Sequence, residues 1–139
     1  MIMQLSNILY IPKLLDLARD VDNVNISVLE KSLISGMGNK DVRVFIYEKN
    51  GNTKGFIFGS IESWRGEDVV FIQFCVIRPD DNKFIGNELL AKMLEFAKEY
   101  KLSTLVMVTD REPKAFMRKY DFKPDGIIMK KEVKNERDV

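Results

Sequence analysis

Histidine is absent from this chain of 139 residues, and cysteine occurs once, at Cys75. The absence of histidine excludes Ser-His and Cys-His nucleophile pairs and removes the commonest general base and zinc ligand. A single cysteine also excludes an intrachain disulfide and a multi-cysteine metal site, so we expect no metal. An enzyme with this sequence must therefore use carboxylates, tyrosine, lysine, backbone groups, water or a cofactor.

Long apolar runs and a strong net charge are missing as well. No apolar stretch approaches the length that spans a bilayer, and residues 1–5 lack the charged and apolar regions of a secretory signal. Twenty-two Lys and Arg against 21 Asp and Glu give a net charge of +1, which argues against a dominant attraction to nucleic acid or anionic lipid. We predict a cytoplasmic protein with no nucleic-acid partner and no membrane partner.

The length and the apolar fraction of 45% are typical of one globular domain. We predict a single domain over residues 1–133 and a charged C-terminal tail over 134–139, because charges outnumber apolar residues after Val133. The tail is expected to fray.

Segments whose apolar residues have the spacing of a helix alternate along the chain with segments that have the spacing of a strand. We predict a strand over 1–6, a helix that starts near Pro12, and a second helix capped by Asn25. Strands over 42–47, 53–61 and 69–77 follow as an antiparallel meander, the first two joined by an Asn-Gly turn at residues 50–51. The apolar positions of the two helices are Ile11, Leu14, Leu15, Leu17 and Ala18 in the first, and Ile26, Leu29, Leu33, Ile34 and Met37 in the second.

The second half predicts a long amphipathic helix over 86–100, then a strand over 102–108, a helix over 113–120 and a last strand over 126–133. The residues of the long helix expected to face the core are Leu89, Leu90, Met93, Leu94, Phe96, Ala97 and Tyr100. The fold class is α/β: a mixed, mostly antiparallel central sheet flanked by helices, in the order β-α-α-β-β-β-α-β-α-β.

Three segments and this order of elements resemble a known family. Val76-Ile77-Arg78-Pro79, followed by Gly86 and Leu89-Leu90, is similar to a pyrophosphate-binding segment, and residues 115–122 are similar to a last-helix motif. Residues 10–17 resemble a first helix. The family is the GNAT superfamily of acyl-CoA-dependent N-acetyltransferases.

The resemblance implies that acetyl-CoA is the acyl donor. Backbone N-H groups where a loop turns into a helix hold anionic phosphates, aided by the helix dipole, and the same residues also suit an ordinary strand-to-helix turn. Of the three motif positions only Gly86 matches, since Asp81 stands where the family has Gln or Arg and Phe84 stands where it has Gly. The residues assigned to cofactor binding are Asn82, Lys83, Phe84, Ile85, Gly86 and Asn87 for the pyrophosphate, Cys75, Val76 and Ile77 for the pantetheine arm, and Glu112 at the position of a family Asn.

Three side chains are candidate catalytic residues. Gln73 is the one polar side chain in the apolar strand, and it either positions a water or the acceptor amine or is a hydrogen-bonded core residue. The alternation of side chains along a strand predicts one face formed by Phe71, Gln73, Cys75 and Ile77. Glu62 is placed to relay a proton from an amine through water, or is a solvated carboxylate. Tyr120 is a substitute for the proton donor that the family has where Met117 stands, or a packing residue.

The resemblance implies direct acetyl transfer to a primary amine, carried by a small molecule or by a protein N-terminus or Lys. Homodimers are common in the family, so the resemblance allows a second copy of this chain as a partner. The alternative is a CoA-binding or protein-interaction module that keeps the fold without catalysis, which the changed motif positions favour.

Restoring tyrosine with Met117→Tyr is expected to raise acetyl transfer. General acid assistance is worth about 10²- to 10⁴-fold, and a thiol pKa near ~8.5 lets the thiolate leave slowly without it. Tyr120→Phe should lower the rate only if Tyr120 has taken over proton donation. The measurement is CoA release with a panel of amines; a Met117→Tyr rate equal to that of the parent would contradict the prediction.

Overall fold

A computed structural model describes residues 1–21, 24–79, 82–108, 120–126 and 128–132 of the chain. Contacts divide the chain into two compact units, Met1–Val108 and Thr109–Val139, which are described separately. In the second unit, the predicted helix over 113–120 lies outside the described residues except for Tyr120. Residues 126 and 128–132, where we expected the last strand, are not in a strand.

The first unit contains a five-stranded sheet and three α-helices. The sheet order is β1-β2-β3-β4-β5; all neighbours are antiparallel except β4 and β5, which are parallel. This confirms the predicted mixed, mostly antiparallel sheet. None of the described helices is both long and apolar enough to cross a bilayer. In chain order the elements are β1 (Ile2–Gln4), α1 (Ile11–Val21), α2 (Ile26–Gly36), β2 (Val42–Lys49), β3 (Asn52–Trp64), β4 (Glu67–Ile77), α3 (Asn82–Glu99) and β5 (Leu105–Met107).

Two tight turns build the central meander. Asn50 and Gly51 have φ of 53° and 77°, which is the left-handed backbone that a two-residue hairpin turn requires and that an Asn-Gly pair readily adopts. Arg65 and Gly66 repeat this geometry between β3 and β4, with φ of 51° and 84°. Trp64 and Glu67, which we expected in a loop, therefore lie in paired strands and continue the ladder to its end.

Helices α1 and α2 cover one face of the sheet. All five predicted apolar residues of α1 are buried, as are Leu29 and Leu33 of α2, against Val44, Ile46, Phe56, Phe58 and Val76. Asn25 caps α2 as predicted, because its side chain accepts a hydrogen bond from the N-H of Val28. Ile34, predicted to face the core, is instead 49% exposed. It follows Leu33 by one residue, and one residue turns a helix by about 100°, away from the buried stripe.

Helix α3 packs on the opposite face and begins four residues earlier than predicted. Leu89, Met93 and Ala97 are buried as expected, but Leu94 is 48% exposed. The buried stripe follows Ile85, Leu89, Met93 and Phe96 at helical spacing, and Leu94 lies one residue outside it. Gly59 lets the helix approach β3 closely, since a Cβ there would lie 2.6 Å from the Met93 Sδ and 3.2 Å from a Val70 methyl.

Gly59→Ala should destabilise the protein by about 1–3 kcal/mol, because Met93 is fully buried and its thioether must shift within a closely packed core. Met93→Ala alone should cost about 2–5 kcal/mol, and distinctly less in the Gly59→Ala background, where the overlap is relieved. Urea denaturation measures all three variants, with exposed Ser63→Ala as the control. Strictly additive losses would contradict the close packing.

Candidate active site

A β-bulge interrupts β4 at Gln73. Phe58 of β3 pairs with Phe74, and the next residue, Gly59, pairs with Ile72, so Gln73 is the extra residue on β4. A bulge bends its strand and increases the local twist. The parallel pairing of β4 with β5 ends at Ile72, the residue before the bulge. Residues 73–77 therefore have no strand partner on that side in the described part of the chain.

The bulge also changes which side chains share a face. We predicted Phe71, Gln73, Cys75 and Ile77 on one face, and this is wrong. Gln73 and Phe71 lie on the face covered by α1 and α2, because Gln73 reaches Ser60 and Phe71 pairs with Ser60. Cys75 and Ile77 lie on the α3 face, where Ile77 lines the space next to Gly55. The extra residue shifts the period-two alternation by one position.

The residues of β4 after the bulge form what we call the open edge, residues 73–77. The N-H of Arg78 donates to the carbonyl of Lys54 on β3, 2.9 Å away. Successive residues of a strand direct their backbone groups to opposite sides, so the N-H of Val76 also points to β3. The N-H and C=O groups of Cys75 and Ile77 then point to the open edge. These are the hydrogen-bonding groups that an extended ligand would meet there.

The start of α3 lies beside this edge because Gly55 has no side chain. A Cβ at Gly55 would be 3.2 Å from a methyl of Ile85 and 3.3 Å from Cγ1 of Ile77. The first N-H groups of a helix, from the residue before it to its third residue, have no partner within it, and among the described residues here they belong to residues 82–84. Their partial positive charge suits an anion. The fold thus brings a helix start that suits an anion next to strand amides that point away from β3.

Gly86 lies at the fifth position of α3 and is buried. Its N-H and that of Asn87 come after the four without partners and are directed along the helix. The described backbone donors at the helix start are therefore those of residues 82–84, and the parts of Ile85, Gly86 and Asn87 in cofactor binding stay predictions. Phe84 is 60% exposed, with its ring 6.2 Å from that of Tyr47.

The predicted residues Gln73 and Glu62 are joined by a third side chain. The Nε2 of Gln73 donates to the Oγ of Ser60 at 2.7 Å, and the hydroxyl of Ser60 donates to the Oε1 of Glu62 at 3.0 Å. We call Gln73, Ser60 and Glu62 the polar strip. It begins at the bulge and follows the face of the sheet covered by α1 and α2. Gln73 therefore belongs to both the open edge and the polar strip.

No role was predicted for Ser60, although the sequence around this residue contains a clue to one. Ser60 is 3% exposed and is the buried polar residue of the described core. It is also the one hydroxyl within an otherwise apolar or glycine segment, residues 55–61, and lies two residues before Glu62, on the same face. A buried hydroxyl in such a strand needs a hydrogen-bond partner, which is the clue that would have linked it to Gln73 and Glu62.

The other predicted residues stand apart from this geometry. Glu112 lies outside the described residues, and Tyr120 belongs to the second unit, so their roles stay predictions. Cys75 is half-buried and not in a disulfide, and its backbone faces the open edge. Arg78, which follows the edge, makes an ion pair with Asp20 of α1 at 3.5 Å.

The sequence matches no family model and no curated protein sequence. Solved structures do match it. An aminoglycoside 6'-N-acetyltransferase from Acinetobacter haemolyticus has a TM-score of 0.81 at 13% identity, with 98% of this chain and 99% of that one covered. The aminoglycoside N-acetyltransferase AAC(6')-Iy, solved with a CoA-containing bisubstrate analogue, has a TM-score of 0.77 at 15% identity, covering 96% and 97%.

A "predicted acetyltransferase" from Clostridium acetobutylicum, solved with acetyl-CoA, has a TM-score of 0.75 at 14% identity and covers 95% of this chain and 96% of its own. These acetyltransferase structures share one fold, and this likeness defines the fold class of the chain. The chain has the GNAT fold, as the sequence predicted.

The different directions of neighbouring amides on β4 predict different effects of proline. Val76→Pro removes an N-H that points to β3 and should cost at least about 2 kcal/mol more than Ile77→Pro, whose lost N-H points to the open edge. Ile77→Ala controls for the loss of the side chain. Denaturation in urea measures the difference; equal losses for both proline variants would show that the open edge has been assigned to the wrong amides.

Proposed function

We propose that this protein is an acetyl-CoA-dependent N-acetyltransferase that transfers the acetyl group directly to a primary amine. The observation that carries the proposal is the open edge of β4, which starts at the Gln73 bulge and lies beside the start of α3. An extended amide-containing chain and an anion are the two ligand features that such a site suits. Acetyl-CoA, as a substrate, has both and supplies an acetyl thioester.

Each part of the candidate site would bind a different part of acetyl-CoA. The N-H groups of residues 82–84 would hold the pyrophosphate, and the open edge at Ile77 would pair with the pantetheine arm. A backbone N-H of the open edge would donate to the thioester carbonyl oxygen as it gains negative charge. In the reaction, the amine nitrogen bonds to the acetyl carbon, the carbon-sulfur bond breaks, the amine loses a proton and the thiolate takes one up.

Orientation is the main contribution of such a site. Holding an amine and a thioester at attacking distance is worth about 7–11 kcal/mol in well-aligned reactions, without any covalent intermediate on the protein. This mechanism needs neither histidine nor a reactive cysteine. It is therefore compatible with a composition that contains no histidine.

Met117 favours a second candidate, a CoA-binding module without transfer, because methionine cannot donate a proton to the thiolate. The two candidates share the same ligand and differ in turnover. Isothermal titration with acetyl-CoA and with CoA, followed by CoA release with a panel of primary amines, separates them. Binding without release above the buffer rate would favour the module, and absence of binding would contradict both.

Ile77→Pro should weaken acetyl-CoA binding about 3- to 10-fold relative to Ile77→Ala, since it removes one backbone donor from the open edge and the alanine variant already lacks the side chain. Isothermal titration of both variants gives the ratio, with circular dichroism to check the fold. The same affinity in the two variants would mean that the ligand does not pair with this part of β4.

A further inference from the structure

The donor and acceptor order of the polar strip is fixed by its own chemistry. A carboxylate only accepts hydrogen bonds, so the bond between Ser60 and Glu62 uses the single proton of the Ser60 hydroxyl. The oxygen of Ser60 must then accept its second bond, and it does so from the amide nitrogen of Gln73. The carbonyl oxygen of the Gln73 amide is therefore directed away from Ser60.

Both outer ends of the strip consequently carry hydrogen-bond acceptors, and the Gln73 end also keeps the second N-H of its amide. Gln73 presents its carbonyl oxygen at the bulge, and Glu62 presents the rest of a charged carboxylate; both side chains are exposed. Ser60 between them is buried and uses its proton inside the strip. A surface with two acceptors and one negative charge complements a ligand that donates hydrogen bonds and carries positive charge.

An apolar surface lies next to the strip. Phe71 is opposite Ser60 in the β3-β4 ladder, and its ring is 5.9 Å from that of Trp64. Trp64 comes two residues after Glu62, on the same face of β3. The Arg65 guanidinium lies over the Trp64 ring, 5.7 Å from its centre. A cation that approaches Glu62 therefore has Phe71 as the aromatic side chain that favours an apolar carrier and adds cation-π attraction.

We propose that the polar strip is the acceptor site of this protein, and that it takes a protonated primary amine on an apolar carrier. Glu62 and Gln73 bind the ammonium group, Phe71 contacts the carrier, and Ser60 is a positioning residue that holds Glu62 and Gln73 in line. This inference rests on the proposed function and names its acceptor class. The strip consists of side chains, whereas the donor site consists of backbone groups, so changes to the side chains of Ser60 and Glu62 should affect amine binding alone.

The test uses phenethylamine as the ammonium probe and 2-phenylethanol as its neutral counterpart, with the full-length protein. Addition of phenethylamine should shift the side-chain amide signals of Gln73 in a ¹⁵N-¹H spectrum, and 2-phenylethanol should bind at least about 10-fold more weakly. Because this readout needs no turnover, it can be measured with and without acetyl-CoA. No movement of the Gln73 signals at saturating phenethylamine would overturn the assignment.

Matched variants separate charge at the strip from charge nearby. Glu62→Gln should weaken phenethylamine binding about 10-fold or more. Asp68→Asn, which neutralises a carboxylate on the opposite face of the same hairpin, should leave it unchanged. Equal effects of the two would overturn the proposal. Ser60→Ala should raise the KM for the amine about 3- to 10-fold and change the Gln73 amide signals, and Ser60→Thr should restore both, unless the role of Ser60 is only structural.

Acetyl-CoA titration of every variant keeps the two proposals apart. Unchanged acetyl-CoA affinity in Glu62→Gln, together with weakened amine binding, supports the acceptor site. If acetyl-CoA binds but Glu62→Gln leaves the affinity for phenethylamine unchanged, the acceptor site is contradicted and the proposed function still stands. Failure of the parent protein to bind acetyl-CoA contradicts the proposed function, and the Gln73 signals then report on the amine site by themselves.

Discussion

One extra residue in β4 sets the geometry of the candidate site. At Gln73 the ladder with β3 gains a residue, and the parallel pairing with β5 ends one residue earlier, at Ile72. A strand that is bent at this point cannot stay hydrogen-bonded to both neighbours along its whole length. The bulge thus leaves residues 73–77 without pairing to β5 and puts Gln73, next to Ser60, on the face opposite to Cys75 and Ile77.

Close packing of α3 supplies the other half of the site. Glycines at positions 55 and 59 of β3 let the helix approach the sheet, where Ile85 and Met93 fill the space that side chains would occupy. The first turn of α3 therefore lies beside the end of β4, and its free N-H groups lie near the open edge. Backbone groups, rather than reactive side chains, carry the proposed cofactor site. A site of this kind depends less on the identity of single residues, such as Phe84 at the position of a motif glycine, than a site built from side-chain ligands would.

The edge of β4 and one of its faces bind different ligands in this proposal. The open edge and the start of α3 suit a long anionic thioester, and the polar strip with Phe71 suits a small cation. The bulge is where they meet, because Gln73 belongs to both. The likeness to aminoglycoside acetyltransferases concerns the fold at 13–15% identity, so the acceptor must be argued from the residues of this chain.

Periodicity alone determined much of the fold, because buried stripes, an Asn-Gly turn and the Asn25 cap are local signals. It located α1, α2 and the meander, and it confined chemistry to few residue types since histidine is absent. It assigned the faces of β4 wrongly beyond Gln73, because a bulge comes from pairing with β3 and leaves no mark in the alternation itself. The start of α3 at Asn82 and the burial of Ser60 also depend on neighbouring elements. Tertiary structure alone joined Gln73, Ser60 and Glu62, since hydrogen bonds between strands depend on register, which no single strand specifies.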